Sequence, residues 1–205
     1  MNDGYISVLN DISSDSPTPG GGTVAALALS HAHSLALMVA RLTIGKEKWA
    51  SGHDAAQEII DFCGQSMKKS LSLAEEDAEA FDNVMHAYRL PKSDEEEILV
   101  RKSAILSTTI GAANTPLSIA KEGHKLLTKL PNLAKYGNSN AITDLAASSE
   151  LAYTAVYIAS LNVKINVDSM KNEELDKIQE ISTEVLSFAK ILIDEIRLIV
   201  SDRMG

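Results

Sequence analysis

Apolar residues recur every three or four positions through most of this 205-residue chain, and no two-residue alternation persists for long. A period of three to four residues is typical of amphipathic α-helices, whereas half-buried strands alternate. The pattern is clearest near the C-terminus, in Ile178, Ile181, Val185, Phe188, Leu192, Ile196 and Ile199. The chain is therefore predicted to be all-α, an antiparallel bundle of about five long helices forming a single domain over residues 1–205.

The boundaries of the five helices are predicted from glycines, prolines and capping residues. The first helix runs from about Gly22 and ends at Gly45, and the third begins with Ser93 as its N-cap and Glu96 three residues later. Pro116 predicts a kink in the third helix, and residues 163–167 read as an irregular helix exit. The predicted ranges are 22–44, 53–88, 93–130, a fourth from about 140, and a fifth capped by Asn172.

Composition excludes several function classes. The net charge of −9 argues against nucleic-acid binding, which needs a basic face. Cys63 is the only cysteine, and the N-terminus has no basic, apolar leader, so a reducing, cytoplasmic location is expected. The apolar segment 24–44 contains His31, His33 and Arg41, which favours a buried, close-packing helix over a membrane span.

The segment from Ser16 to Ala26 carries the most distinctive motif, a Pro-Thr-Pro followed by Gly20, Gly21 and Gly22. Glycines leave backbone N–H groups accessible, and a following helix adds the positive end of its dipole, which together can hold an anion or a closely packed ligand. The same glycines are equally typical of a tight turn between crossing helices. Both interpretations stay open at this point.

Several other residues are candidates for chemistry, each with a structural alternative. Asp77 lies beside apolar neighbours and is expected to point inward with a raised pKa, although nearby acids suggest a solvated face. Lys46 and Lys48 fit either a carboxylate-docking patch or complementation of a helix dipole. Asp144 follows a Gly-Asn turn and fits an active-site or a first-turn acid. No metal is predicted, because no paired Glu-x-x-His motif is present.

In chain order, these pieces resemble the cyclodeaminase domain of the formiminotransferase-cyclodeaminase family and its relatives, the stand-alone methenyltetrahydrofolate cyclohydrolases. Two departures are Thr23, where the family more often has serine, and Glu47, where it often has a second base. The resemblance covers nearly the whole chain. It rests on residues 18–23, 42–46, 77–81, 90–92, Pro116, Gly137–Asn138, 143–145 and 162–166.

The resemblance implies an activity and a site. It implies ring closure of 5-formiminotetrahydrofolate to 5,10-methenyltetrahydrofolate with release of ammonia, in a homo-oligomer, usually a dimer, with the folate site near subunit interfaces. Asp77 and Asp144 are the expected catalytic acids. The substrate, with or without a polyglutamate tail, is expected to contact Gly20, Gly21, Gly22, Thr23, Lys46, Lys48, Lys92, Asn138, Asn162 and Asn166.

The same resemblance implies the partners and leaves two alternatives. No cofactor is expected beyond tetrahydrofolate as the substrate carrier, and a separate glutamate formiminotransferase is expected as a partner in histidine degradation. One alternative is hydrolysis of methenyltetrahydrofolate to 10-formyltetrahydrofolate, which involves the same carbon atom. The other is a non-catalytic helical oligomer that binds a folate or a partner helix.

Overall fold

The structure is a computed structural model that describes residue 2 and residues 4–205. Within these residues it contains no strand, so the predicted all-α class is confirmed, and the five long helices are present. A short additional helix near the N-terminus was not predicted. The helices are α1 (Tyr5–Ile12), α2 (Gly21–Thr43), α3 (His53–Arg89), α4 (Glu95–Tyr136), α5 (Ile142–Asp168) and α6 (Glu173–Met204), with 3₁₀ segments at Glu47–Gly52 and Ser139–Ala141.

Four helices form a closed ring. Helices α2, α3, α4 and α5 each pack against the next, α5 packs back against α2, and α6 packs against α4 and α5. Short connections make consecutive helices antiparallel, so the bundle has two distinct ends. The glycine end contains the start of α2 at Gly21, and the opposite end contains the start of α5 at Ile142.

Helix α2 packs closely against its two neighbours in the ring, α3 and α5, because the side chains that face them are small. The side chains that make this contact are fully buried: Ala25, Ala26, Ala32, Ala36 and Ala40. By length and composition α2 is the one helix of the described chain apolar enough to span a membrane, but 61% of that stretch is buried in the bundle. This is the burial expected of a core helix.

Capping residues explain where the later helices begin. The Asp94 carboxylate accepts a hydrogen bond from the Glu97 N–H at 2.8 Å, and the Glu97 carboxylate accepts one from the Ser93 N–H at 2.7 Å. The predicted capping pair therefore exists one residue later than expected, with Asp94 rather than Ser93 as the N-cap of α4. Asn172 caps α6 as predicted, accepting a hydrogen bond from the Glu174 N–H.

Two boundaries differ from the sequence-based prediction. Helix α4 continues past the predicted end at residue 130 to Tyr136, and it includes both Pro116 and Pro131. Residues 163–167 are the last regular turns of α5 and not an irregular exit. Val163 and Val167 pack with Leu117 in a second apolar cluster. Burial in this cluster outweighs the weak helix propensity of β-branched residues.

A histidine and the single cysteine meet in the core. The Cys63 Sγ atom lies 3.6 Å from Nδ1 of His33, and both side chains are fully buried. No described group pairs with the other ring nitrogen, Nε2. Burial lowers the pKa of His33 to about 4, although Glu122 raises it in part, and burial raises the pKa of Cys63 to about 12. Both groups are therefore neutral in the folded protein near pH 7.

The His33 pKa predicts loss of stability in mild acid. The unfolded chain takes up a proton at the ordinary histidine pKa of 6.5, whereas the folded chain does so only near pH 4. The free energy of unfolding should therefore fall between pH 6.5 and 4, by about 3 kcal/mol from this group. We expect His33→Gln to flatten that slope in denaturant titrations, while the exposed His31→Gln leaves it unchanged. Equal slopes in all three proteins would contradict this assignment.

Candidate active site

A cleft of about 260 Å³ lies at the glycine end of the bundle. Four helices contribute to it: the start of α2, the second half of α3, the middle of α4 and the end of α5. These segments are far apart in sequence, but the antiparallel ring brings all four to the same end. The cleft is lined by Pro17, Thr18, Gly20, Gly21, Gly22, Asp77, Ala80, Phe81, Val84, Ala112, Asn162 and Asn166.

Among the residues that the structure describes, Asp77 is the only titratable side chain lining this cleft. Its Oδ2 atom accepts a hydrogen bond of 3.2 Å from the Thr23 hydroxyl, and the Thr23 backbone N–H also donates to the carboxyl group. Gly20, at the N-cap position of α2, has no side chain that can cap the helix. The Asp77 carboxylate, which belongs to α3, therefore serves as the partner of one free N–H group, that of Thr23, at the start of α2.

The environment of Asp77 favours its protonated form more than water does. Burial raises its pKa above the usual aspartate value, and the two hydrogen bonds from Thr23 offset part of that rise. A carboxyl group with a raised pKa in a cleft is suited to accepting and returning a proton. The inward orientation predicted for Asp77 is present.

Gly22 makes the approach of α2 to Asp77 possible. A Cβ atom at this position would lie 2.6 Å from Oδ2 of Asp77 and closer still to Oδ1, which is a steric overlap. At Gly21 an added Cβ would meet only ordinary contacts, the nearest at 3.9 Å from the Asn162 amide. The glycine segment therefore permits close packing, as in the structural interpretation, and it also lines the cleft, while ligand binding by its N–H groups stays a prediction.

Two asparagines of α5 form the wall of the cleft, and a proline fixes one of them. Pro116 has no N–H, so the Ala112 carbonyl oxygen four residues earlier has no helical partner. The Asn166 Nδ2 group donates to that oxygen at 2.9 Å and to the Asn162 carbonyl oxygen at 2.9 Å. The Asn162 Nδ2 group donates to the Ile158 carbonyl oxygen at 2.9 Å. The sequence resemblance singled out Pro116 and Asn166 separately, and the structure joins them.

The remaining predicted site residues do not reach this cleft within one chain. Asp144 lies in the first turn of α5, 18 residues before Asn162, and a helix rises about 1.5 Å per residue. The two residues are therefore about 27 Å apart along the helix. Lys46 and Lys48 lie between α2 and α3 at the opposite end, and Lys92 lies in the α3–α4 connection. All three lysines are exposed, and none lines the cleft.

Asn138, also predicted to contact substrate, is buried at the opposite end and joins helix termini. Its backbone N–H donates to the Thr43 hydroxyl at 3.0 Å, and its Nδ2 group donates to the Leu42 carbonyl oxygen at 3.0 Å. Its Oδ1 atom accepts from the Asn140 N–H. These bonds connect the end of α2 to the turn between α4 and α5, which accounts for a Gly-Asn motif there without a ligand.

Sequence reasoning missed part of the cleft wall. Phe81 and Val84 follow Asp77 by four and seven residues, so they lie on the same face of α3. That spacing was a usable signal for both. Ala112 carries no such signal, because its role depends on the proline four residues later. Among residues 2 and 4–205, no three His, Cys, Asp or Glu side chains cluster as a metal site; the absence of a metal stays a prediction.

Comparison with known proteins gives consistent matches. The family model described as Formiminotransferase-cyclodeaminase matches residues 5–185. A methenyltetrahydrofolate cyclohydrolase from Methylorubrum extorquens is 32% identical over 163 residues, covering 79% of this chain and 78% of that protein. A formimidoyltransferase-cyclodeaminase from Gallus gallus is 31% identical over 176 residues, covering 85% of this chain and 32% of that protein. The chain thus spans about a third of the Gallus gallus protein.

A solved structure agrees with the fold. The crystal structure of formiminotetrahydrofolate cyclodeaminase from Thermotoga maritima superposes with a TM-score of 0.85 at 25% sequence identity. The alignment covers 97% of this chain and 96% of that one. The whole bundle, including the helices that build the cleft, therefore has a counterpart in that structure.

Proposed function

This chain belongs to the formiminotransferase-cyclodeaminase family, and from that premise we propose that its cleft is the active site of a folate cyclodeaminase. The proposed reaction closes 5-formiminotetrahydrofolate to 5,10-methenyltetrahydrofolate and releases ammonia. The single observation that carries the proposal is Asp77, a carboxyl group of raised pKa that accepts a hydrogen bond from Thr23 inside the cleft.

The proposed chemistry requires one group that moves a proton. The formimino group is an amidine that is protonated on its terminal nitrogen, and the lone pair of the second folate nitrogen, N10, attacks the amidine carbon. The resulting tetrahedral centre carries a proton on N10 and an NH₂ group on carbon. Once that proton moves from N10 to the NH₂ group, the carbon–nitrogen bond breaks, its electron pair leaves with ammonia, and the methenyl cation remains.

Asp77 fits the role of the proton carrier. In its ionised form it takes the proton from N10, and it then returns the proton to the departing amine, so no net proton is consumed. A group shuttles protons best when its pKa approaches the working pH, and burial moves the Asp77 pKa in that direction. A carboxylate also stabilises the cationic carbon throughout the reaction.

The proposal is tested by mixing the purified protein with 5-formiminotetrahydrofolate. Methenyl absorbance and ammonia should both increase in proportion to protein concentration, above the spontaneous rate. Growth of neither product would reject the cyclodeaminase assignment.

Hydrolysis of 5,10-methenyltetrahydrofolate to 10-formyltetrahydrofolate is the second candidate. It is favoured by the 32% identity to a protein named methenyltetrahydrofolate cyclohydrolase, of which this chain covers 78%. In that reaction a water molecule attacks the same carbon, and Asp77 would accept its proton. Protein-dependent loss of methenyl absorbance without ammonia release would identify the hydrolase, and saturable folate binding without either reaction would identify a non-catalytic binder.

Assembly and substrate supply complete the proposal. We propose a homo-oligomer, most simply a dimer, because the tip of the α3–α4 hairpin exposes Tyr88, Leu99 and Val100. An assembly that joins the glycine end of one copy to the opposite end of another would bring Asp144 and Lys46 towards the cleft. A separate glutamate formiminotransferase is the proposed source of the formimino group.

The geometry of one chain predicts a small effect of replacing Asp144. Because Asp144 lies about 27 Å from Asn162 along α5, we expect Asp144→Ala to change kcat by less than about threefold. Steady-state assays of ammonia release measure this directly. A loss as large as that of an Asp77 variant would instead indicate a site shared between two copies.

A further inference from the structure

The cleft side chains offer hydrogen-bond acceptors on one wall and carry no cation. Asp77 contributes a carboxyl group, Asn162 and Asn166 contribute amide groups, and none of the lysines, arginines and histidines in the described part of the chain lines the cleft. Such a lining disfavours an anionic group and favours a ligand that is cationic or rich in N–H groups. The identity of that ligand group depends on which way the two amides point.

Hydrogen bonding fixes the orientation of both amides. The three groups contacted by their Nδ2 atoms are carbonyl oxygens, which only accept hydrogen bonds, so nitrogen and not oxygen must face them. The oxygen of an amide lies on the opposite side from its nitrogen. The Oδ1 atoms of Asn162 and Asn166 therefore face away from the backbone they contact, and no described group donates a hydrogen bond to either.

Pro116 is the origin of this arrangement at Asn166. With an N–H at position 116, the Ala112 carbonyl oxygen would have its ordinary helical partner, and only the Asn162 carbonyl oxygen would still hold the Asn166 amide in this orientation. With proline there, the Ala112 oxygen instead holds the Asn166 Nδ2 group at 2.9 Å. The same nitrogen also donates to the Asn162 carbonyl oxygen. If the amide turned over, the Asn166 Oδ1 atom would face the carbonyl oxygens of Ala112 and Asn162, and neither can donate a hydrogen bond.

We propose that Asn166, oriented by Pro116, is a specificity-determining residue that accepts a hydrogen bond from the N–H group of the substrate's one-carbon unit. This rests on the proposed function, in which that unit is a formimino group. A formimino group donates through nitrogen, whereas a formyl group at the same position has an oxygen that only accepts. At Asn166 the imino compound is therefore favoured over its oxygen counterpart, because a formyl oxygen in the same place would face the Oδ1 acceptor.

The test compares two ligands that differ by this one atom. Binding of 5-formiminotetrahydrofolate and 5-formyltetrahydrofolate is measured by titration calorimetry in the Asp77→Asn background, in which the formimino compound is not consumed, and ammonia release is measured in parallel in proteins that keep Asp77. The protein with Asn166 should bind the formimino compound at least tenfold more tightly. In Asn166→Leu, which keeps a similar volume, the formimino affinity should fall at least tenfold while the formyl affinity changes less than threefold.

Two further variants separate orientation from general damage. Pro116→Ala returns an N–H to the helix, so it should narrow the preference between the two ligands while leaving the thermal unfolding temperature equal or higher. Asn114→Ala, an exposed amide on the same helix, should change neither affinity. A KM increase in Asn166→Leu that exceeds its kcat decrease is the expected kinetic signature.

The outcomes distinguish this inference from the proposed function. Strong preference for the formimino ligand without ammonia release would reject the cyclodeaminase and leave the specificity role intact. Ammonia release by a protein that binds both ligands equally, or an Asn166→Leu variant that weakens both equally, would overturn the specificity role alone. Absence of binding to either folate would overturn both.

Discussion

Replacing Asp77 with asparagine is expected to lower kcat for cyclodeamination by about a thousandfold. Asparagine has the same shape and can still accept the hydrogen bond from the Thr23 hydroxyl, so the start of α2 keeps its capping contact. It cannot carry a proton from N10 to the departing amine. Single-turnover measurement of ammonia release should show the loss in the chemical step and not in substrate binding.

Stability provides the control for this substitution. The Asp77 pKa is raised in the folded protein, so the stability contributed by its protonated form is lost as pH rises through that pKa. An uncharged asparagine avoids this loss, and Asp77→Asn should unfold at the same or a higher temperature than wild type at pH 7. Asp82→Asn, an exposed acid on the same helix, should change neither activity nor stability. Near-normal turnover in Asp77→Asn would remove Asp77 from the mechanism.

Gly22→Ala is expected to lower activity at least a hundredfold and to lower the free energy of unfolding by about 1–3 kcal/mol. The new methyl group would overlap the Asp77 carboxyl group, which must then leave its place at the start of α2. Both the proton carrier and the capping contact are displaced together. Ammonia release and urea unfolding of the same preparation measure the two effects.

A matched glycine and a double variant isolate the cause. Gly64 lies exposed in α3 with nothing within 4 Å of an added Cβ, so Gly64→Ala should stabilise the helix by about 0.5–1 kcal/mol and keep full activity. Removing the overlapping carboxyl in Gly22→Ala/Asp77→Ala should cancel most of the destabilisation without restoring turnover. Additive destabilisation in the double variant would mean that the two side chains do not compete for space.

The sequence predicted which segments are helical better than it predicted the boundaries of the helices. Apolar periodicity predicted the five long helices, but it did not reveal α1, whose eight residues bury no side chain completely. The β-branched run at residues 163–167 suggested an irregular exit, because its packing against α4 was not visible from local propensity. Tertiary contacts, and not local preference, decided that boundary.

For the candidate site, the sequence likewise identified residues but not their positions in the bundle. Glycine and asparagine motifs identified chemically useful residues, but a motif does not state which end of a bundle it occupies. In an antiparallel ring the start of α2, the late part of α3 and the late part of α5 share one end, which unites Gly22, Asp77 and Asn162. By the same topology, Asn138 and Asp144 lie at the opposite end. The family resemblance alone did not indicate which residues lie at which end of the bundle.

Because Cys63 is buried against His33, its reactivity reports the transient separation of α2 and α3. Cys63 is the only thiol in the chain, it has no exposed surface, and its raised pKa keeps it in the unreactive protonated form. A thiol-modifying reagent reaches it only when α2 and α3 separate. The rate of modification therefore measures how often the core of the bundle opens transiently, and no label has to be introduced.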